Sequence, residues 1–135
     1  MKSKEVKFKV NGLPPSVNNA LTVGRGGRRY PSKEFKVWKK TVQALPIKKI
    51  IGGKKKNQWY EVERIYHFPI YYKNGNIRVK DVANLDKYAD DELCKRLLTY
   101  EGNEIDDCQI LDGSHHKVDC KEGEEYTEWT IWKIG

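Results

Sequence analysis

The chain has 135 residues, 38% apolar and 33% charged, with four Trp, eight Tyr, three Phe and a formal net charge of +7. That length holds one domain and excludes a multi-domain enzyme, while the aromatic content excludes a disordered chain. No apolar run reaches the ~20 residues that span a bilayer, and the charged, alternating start MKSKEVKFKV is no secretory signal, so a cytoplasmic protein is expected.

Residues 4–11 alternate, with Val6, Phe8 and Val10 on one side and Glu5, Lys7 and Lys9 on the other, which predicts a half-buried strand. Gly12-Leu13-Pro14-Pro15 ends it. Residues 16–31 carry three Gly and three Arg and read as a flexible loop. Ser32 is placed to cap a helix whose apolar side is Phe35, Trp38 and Val42, whose other side carries Lys33, Lys36, Lys39 and Lys40, and which Pro46 stops. Residues 47–57 read as a basic turn around Gly52-Gly53.

From Trp59 to Tyr72 the even positions are Tyr60, Val62, Tyr66, Phe68, Ile70 and Tyr72, broken only by Arg64, so a long strand is expected. Pro69 marks an edge or a bulge in it. Asn74-Gly75 predicts a hairpin into a short strand over 77–80. A helix is predicted over 82–98, with Leu85, Ala89, Leu93 and Leu97 stacked on one face and Asn84, Lys87 and Asp91 on another. Ile105-Asp106-Asp107 is read as opening a strand that runs through Leu111, and a last strand covers 126–132. The pattern is a single α+β domain over 1–135, a mostly antiparallel sheet with two main helices.

Charge is divided along the chain. Residues 1–60 carry 16 Lys and Arg against Glu5 and Glu34, a surplus of 14; residues 61–135 carry 17 acids against 10 bases, a deficit of 7. Basic residues neutralise phosphates and clustered carboxylates hold cations, so this division suits a protein that binds and acts on a polyanion. Two solvated faces would look the same. The candidates for a nucleic-acid backbone are Arg25, Arg28 and Arg29 in the Gly-rich loop, Lys33, and the run Lys54-Lys55-Lys56. The Gly-rich loop lacks the Lys-Ser/Thr spacing of a nucleotide phosphate loop, so no nucleotide cofactor is expected. Cys108, His115, His116 and Cys120 are spaced too irregularly for a structural zinc site; buried cysteines and strand-borne histidines are expected instead. An odd set of three cysteines also forms no disulfide framework.

Asp81 lies where a strand gives way to a helix, and Asp106-Asp107 where a loop enters a strand. Carboxylates on separate elements, with Lys87 two turns beyond Asp81, suit a Mg²⁺ ion and phosphodiester hydrolysis. An N-cap for Asp81 and a polar turn for Asp106-Asp107 are the plain alternatives.

Three segments carry a resemblance. Leu13-Pro14-Pro15-Ser16-Val17-Asn18 with Arg29-Tyr30-Pro31-Ser32, then Asp81-Val82-Ala83-Asn84-Leu85-Asp86-Lys87 followed by Asp91 and Leu93, then Ile105-Asp106-Asp107-Cys108-Gln109-Ile110, resemble in order and spacing the signatures of RusA-type Holliday junction resolvases. The resemblance runs from residue 13 to about residue 118. It implies a homodimeric, Mg²⁺-dependent endonuclease, with Mn²⁺ as a substitute, that cuts four-way DNA junctions by paired nicks. It assigns metal binding to Asp81 and Asp107 with Asp106 beside them, catalysis to Asp81, Asp107 and Lys87, and supporting places to Asn84 and Asp91. The family's second Asp is Ala83 here, which cannot ligate a cation, whether as an inactivating replacement or by divergence. DNA binding with poor cleavage is the expectation, and a non-catalytic junction-binding protein of the same fold is the alternative.

Two geometric expectations follow. If the chain is extended at 81–83, residues two apart point the same way, and an Asp at 83 would join Asp81 and Asp107 around one cation. The aromatic surplus of Tyr60, Tyr66, Phe68, Tyr71 and Tyr72 suits an interface with a second copy, or a stacking platform for single strands.

Overall fold

A computed structural model describes residues 5–50, 57–99 and 102–134. It is an α+β domain in which two helices lie on one face of a four-stranded sheet. The lysines Lys54, Lys55 and Lys56 fall outside the described residues.

Strand β1 (Val6–Asn11) alternates as expected, burying Phe8 and Val10 while Lys7 and Lys9 stay exposed. It pairs antiparallel with β8 (Tyr126–Ile134), which pairs antiparallel with β5 (Trp59–His67), which pairs parallel with β7 (Ile110–Val118). The sheet is therefore mixed, ordered β1-β8-β5-β7. Parallel neighbours need a crossover, supplied here by helix α2 (Ala83–Cys94) between β5 and β7.

Helix α1 (Lys33–Gln43) begins where Ser32 Oγ accepts the Phe35 amide at 3.1 Å, and buries Phe35, Trp38 and Val42. The main core joins Phe8 and Val10 of β1, Tyr60 and Val62 of β5, and Trp129 and Ile131 of β8 to Trp38, Val42, Ala89 and Leu93 of the helices. Trp38 Nε1 donates to the Tyr88 carbonyl at 3.0 Å, which ties the two helices together. No helix among the described residues is long and apolar enough to cross a membrane.

Several expectations are corrected. The stretch 16–31 contains a small hairpin, β2 (Leu21–Val23) against β3 (Arg29–Pro31), closed by a 3₁₀ turn at Arg25–Gly27 in which Gly26 and Gly27 have φ of +73° and +75°. Strands of three residues are too short to show alternation. The basic turn near 47 starts with β4 (Lys48–Lys49), which pairs parallel with β6 (Leu97–Leu98). Helix α2 accordingly stops at Cys94: Leu97 keeps its place in the core as part of β6. The chain turn there is held by Arg96, which donates from Nε (3.1 Å) and Nη2 (2.6 Å) to the Leu45 carbonyl.

β5 ends at His67, because Pro69 has no amide to continue the ladder. The Asn74-Gly75 turn is present, but its flanks meet at one bridge, Tyr71 to Ile77, and 77–80 is no strand. Asp106-Asp107 does not open a strand; Asp107–Gln109 is a 3₁₀ turn and β7 starts at Ile110. The last strand extends to Ile134. Of the aromatics expected at an interface, Tyr60, Tyr66 and Phe68 are buried in this chain's own core, which leaves Tyr71 and Tyr72 exposed.

Candidate functional site

Asn84, Lys87 and Asp91 are placed by α2, and Asp106 and Asp107 by the 3₁₀ turn beside it. Leu85, Ala89 and Leu93 recur four apart and are buried against the sheet, which fixes the helix's rotation. Its middle is clamped by a polar network. Arg64, the one residue that breaks the apolar run of β5, donates from Nε (2.9 Å) and Nη2 to the two oxygens of Asp90, and Trp129 Nε1 donates to the same carboxylate at 2.9 Å. Asp86 accepts from Tyr66 Oη at 2.6 Å, shares a 2.8 Å hydrogen bond with His115 Nδ1, and lies 3.5 Å from Arg64 Nη1. Burial works against the Arg64 charge, but the hydrogen bond and charge of Asp90 outweigh it and raise the guanidinium pKa. Burial, followed by the Asp86 carboxylate, pushes the Tyr66 phenol far up. Gly113 of β7 leaves room for this clamp: a Cβ there would stand 2.6 Å from Arg64 Nη1. The sequence marks Arg64 as an anomaly, and only the fold reveals Asp90 and Asp86 as its partners, with His115 bound to Asp86 in turn.

The C-terminal end of α2 is acidic. Asp106 and Gln109 cap the 3₁₀ turn reciprocally: Asp106 Oδ1 accepts the Cys108 amide at 2.9 Å, and Gln109 Oε1 accepts the Asp106 amide at 3.0 Å. Asp-x-x-Gln is a capping-box spacing, a signal present in the sequence. The ligand atoms of Asp106, Asp107 and Cys108 lie within 4.8 Å of one another. Partial burial raises the Asp107 pKa, as do its hydrogen bond with Asp106 and the charges of Asp91, Asp106 and Asp90. Asp106 moves the opposite way, lowered first by the Cys108 amide. The Cys108 thiol is raised by its hydrogen bond to Asp106 and by both carboxylates.

These three residues could hold a metal ion. Two carboxylates suffice when water and a substrate phosphate complete a Mg²⁺ shell, and positive charge would relieve the crowding of Asp107. Cys108, a soft ligand, is foreign to that set. Cys94 is buried beside the group, whereas Cys108 is exposed and Cys120 half-buried, so the expected burial of the cysteines holds for Cys94 alone. His115 and His116 lie on β7 as expected, and they form no metal-holding group with the cysteines among the described residues.

The N-terminal end of α2 differs. Asp81 is exposed, and its Oδ1 accepts the Ala83 amide at 3.1 Å, but the N-cap of the helix is Val82 and not Asp81. Val82 already has helical φ/ψ and Ala83 is the first helical residue, so the period-2 relation between positions 81 and 83 does not apply. Ala83, Lys87 and Asp91 instead follow one another four apart along a single stripe of the helix. Asp81 and Asp91 are ten residues apart, about 15 Å along a helix axis, and Asp81 is outside the Asp106–Asp107–Cys108 group. The fold thus places Asp81 and Asp107 at opposite ends of α2.

Lys87 is exposed, with Nζ 5.6 Å from the Tyr88 ring centre, and Asn84 is half-buried, its carbonyl accepting the Val17 amide at 3.0 Å. That bond brings the 13–18 segment to the start of α2. Beside it is a cleft of about 480 Å³, lined by Asn19, Lys33, Lys80 and Leu85 among others. Arg25, Arg28 and Arg29 are exposed on the β2–β3 hairpin, which closes through a 3₁₀ turn.

No family model matches the chain, and no curated protein matches it. The three ordered segments singled out in the sequence, beginning at Leu13, Asp81 and Ile105, come together in the fold. All three meet α2: the first through the Val17–Asn84 bond, the second as the helix's own start, and the third through Asp107 beside Asp91.

Proposed function

We propose that the protein is a structure-specific endodeoxyribonuclease that resolves four-way DNA junctions as a homodimer by paired metal-dependent nicks, and that Ala83 impairs it. The observation that carries this reading is the convergence of the three resolvase-like segments on one helix, with exposed Arg25, Arg28, Arg29 and Lys33. Asp106 and Asp107 would hold Mg²⁺, or Mn²⁺ in its place, an ion that would supply an activated water and charge stabilisation for the leaving oxygen. Lys87 offsets charge on the phosphate, and the arginines hold the duplex arms through their phosphates. A two-fold dimer matches the symmetry of the junction.

A second reading, a junction-binding protein without cleavage, is favoured by one observation: Asp81 stands apart from the acidic group. Cleavage of an end-labelled junction in Mg²⁺ or Mn²⁺, with this chain and with Ala83→Asp, separates the two. The nuclease reading expects metal-dependent cleavage that Asp107→Asn abolishes, and a rise in cleavage with Ala83→Asp, a position at the other end of α2 that acts apart from the Asp106–Asp107 pair. Background cleavage by Ala83→Asp with tight junction binding gives the binding-only reading its place. Sedimentation of a monomer at micromolar concentration, with and without junction DNA, would remove the dimer.

A further inference from the structure

The hairpin over residues 70–80, leading directly into Asp81, exposes aromatic, apolar and basic side chains together. Tyr71, Tyr72, Ile77 and Val79 are 51%, 49%, 73% and 91% exposed. Lys73, Arg78 and Lys80 stand among them, with no acidic residue from 71 to 80. The tip is nonetheless ordered. The Gly75 amide donates to the Tyr72 carbonyl at 2.9 Å, the Tyr72 amide to the Asn76 carbonyl at 2.8 Å, and the Arg78 amide to the Ile70 carbonyl at 2.8 Å. Asn74 Oδ1 accepts the Asn76 amide at 3.0 Å, and Gly75 supplies the φ of +86° that the turn needs.

Two of the cations here lie against rings. Lys80 Nζ is 5.6 Å from the Phe68 ring centre. Arg78 lies over the Tyr72 ring at 4.8 Å, and its buried Nε has no hydrogen-bond partner among the described residues. The nearby acids are accounted for in part: Asp119 accepts the Ile70 amide at 3.1 Å, and Glu122 lines the open cleft beside the tyrosines with Lys73 and Arg78.

We propose that this hairpin takes unstacked nucleotides, with Tyr71 and Tyr72 as the stacking surface and Lys73, Arg78 and Lys80 holding the flanking phosphates. Bases present flat apolar faces on an anionic backbone, and aromatic rings interleaved with cations complement both properties at once. A protein partner fits less well, because interface cores are poor in lysine. Every base in a linear duplex is already stacked, so this surface favours branch points and single strands, where bases are free. The inference rests on the nucleic-acid reading and adds the feature by which a junction is told from a duplex.

The test uses the full chain and three probes of shared sequence: a four-way junction with 2-aminopurine at the branch point, a single strand, and a linear duplex. Binding is followed by anisotropy and unstacking by 2-aminopurine fluorescence. The unaltered chain is expected to bind junction and single strand better than duplex and to raise the branch-point fluorescence. Tyr71→Ala/Tyr72→Ala should weaken junction and single-strand binding about tenfold, the scale of a single base–aromatic stack. It should abolish the fluorescence rise and leave duplex binding unchanged. Tyr71→Phe/Tyr72→Phe, which keeps both rings, should behave like the unaltered chain and controls for folding. The proposal is overturned if the alanine pair leaves junction preference and fluorescence intact, or if it lowers the sedimenting mass while the DNA signals persist, which would make the hairpin a protein interface. In both cases duplex binding still stands for the nucleic-acid reading. Failure of the unaltered chain to bind any probe overturns both.

Discussion

The two ends of α2 carry opposite kinds of surface. At the C-terminal end, Asp91, Asp106 and Asp107 crowd together, and the pKa values of Asp106 and Asp107 are driven apart. At the N-terminal end, Asp81 is exposed and accepts the Ala83 amide, Lys87 is exposed, and Lys33 and Lys80 line the adjoining cleft. The contrast teaches that a carboxylate's chemistry here is set by its neighbours in space. Asp81 and Asp107 look equivalent along the chain, yet one is a turn-former and the other a member of an electrostatic cluster. Between them, the Arg64–Asp90 clamp holds the helix to the sheet and keeps the two ends in fixed positions.

Breaking that clamp should have the largest effect. Arg64 and Asp90 are 7% and 8% exposed, and removal of one partner of a buried pair costs about 3–5 kcal/mol. Asp90→Ala is expected to lower the melting temperature by roughly ten degrees or more. The paired replacement Arg64→Leu/Asp90→Leu should recover part of that loss, since it leaves no unpaired guanidinium, although Trp129 Nε1 still lacks its acceptor. An equal loss in both variants would mean that packing, not charge pairing, secures the helix.

A milder perturbation sharpens the same point from the other side of the clamp. Gly113→Ala places a methyl against the guanidinium, which Asp90 prevents from moving aside. Overpacking of this kind costs about 1–3 kcal/mol, visible in a urea titration as a lower midpoint with an unchanged slope.

The acidic end should show itself through pH. The folded protein holds the Asp107 proton more tightly than the unfolded chain does, because its pKa is raised. Ionised Asp107 therefore costs stability. The cost is absent below the ordinary Asp range, grows as pH rises through that range, and is complete above the folded value. Asp107→Asn should raise the melting temperature by a degree or two at pH 7 and leave it unchanged near pH 3, the effect being small because Asp107 is only partly buried. Mg²⁺ or Mn²⁺ should raise the melting temperature of the unaltered chain at pH 7 and have less effect on Asp107→Asn. Equal stabilisation of both proteins would count against a cation at this end.

The smallest effect concerns the basic side. Replacing Arg25, Arg28 and Arg29 with Gln should flatten the salt dependence of duplex binding by about 0.9 for each phosphate no longer neutralised, with the melting temperature unchanged because all three side chains are exposed. An unaltered slope would remove the β2–β3 hairpin from the DNA surface.

Much of this architecture is legible in local pattern. The alternation of Val6, Phe8 and Val10, the Ser32 cap before Phe35, Trp38 and Val42, and the stacked Leu85, Ala89 and Leu93 all declare themselves, because burial on a strand or helix face repeats with the element's own period. The α+β class follows from those elements. Asn74-Gly75 likewise announces its turn, since few residues adopt positive φ without strain.

Other features depend on pairings between distant segments. The end of α2 is decided by β6 pairing with β4, and the partners of Arg64 by the crossover that lays α2 and β7 beside β5. Whether Asp81, Ala83 and Asp107 meet is a question of the same kind. A helix start at Ala83 ends the two-residue alternation there, and a helix of a dozen residues then carries Asp81 away from the 3₁₀ turn. Local sequence determines which face of each element is apolar and where turns form, because those preferences act over a few residues. The neighbours of a charged side chain are decided only when the sheet closes, because that pairing joins residues that are far apart in the chain.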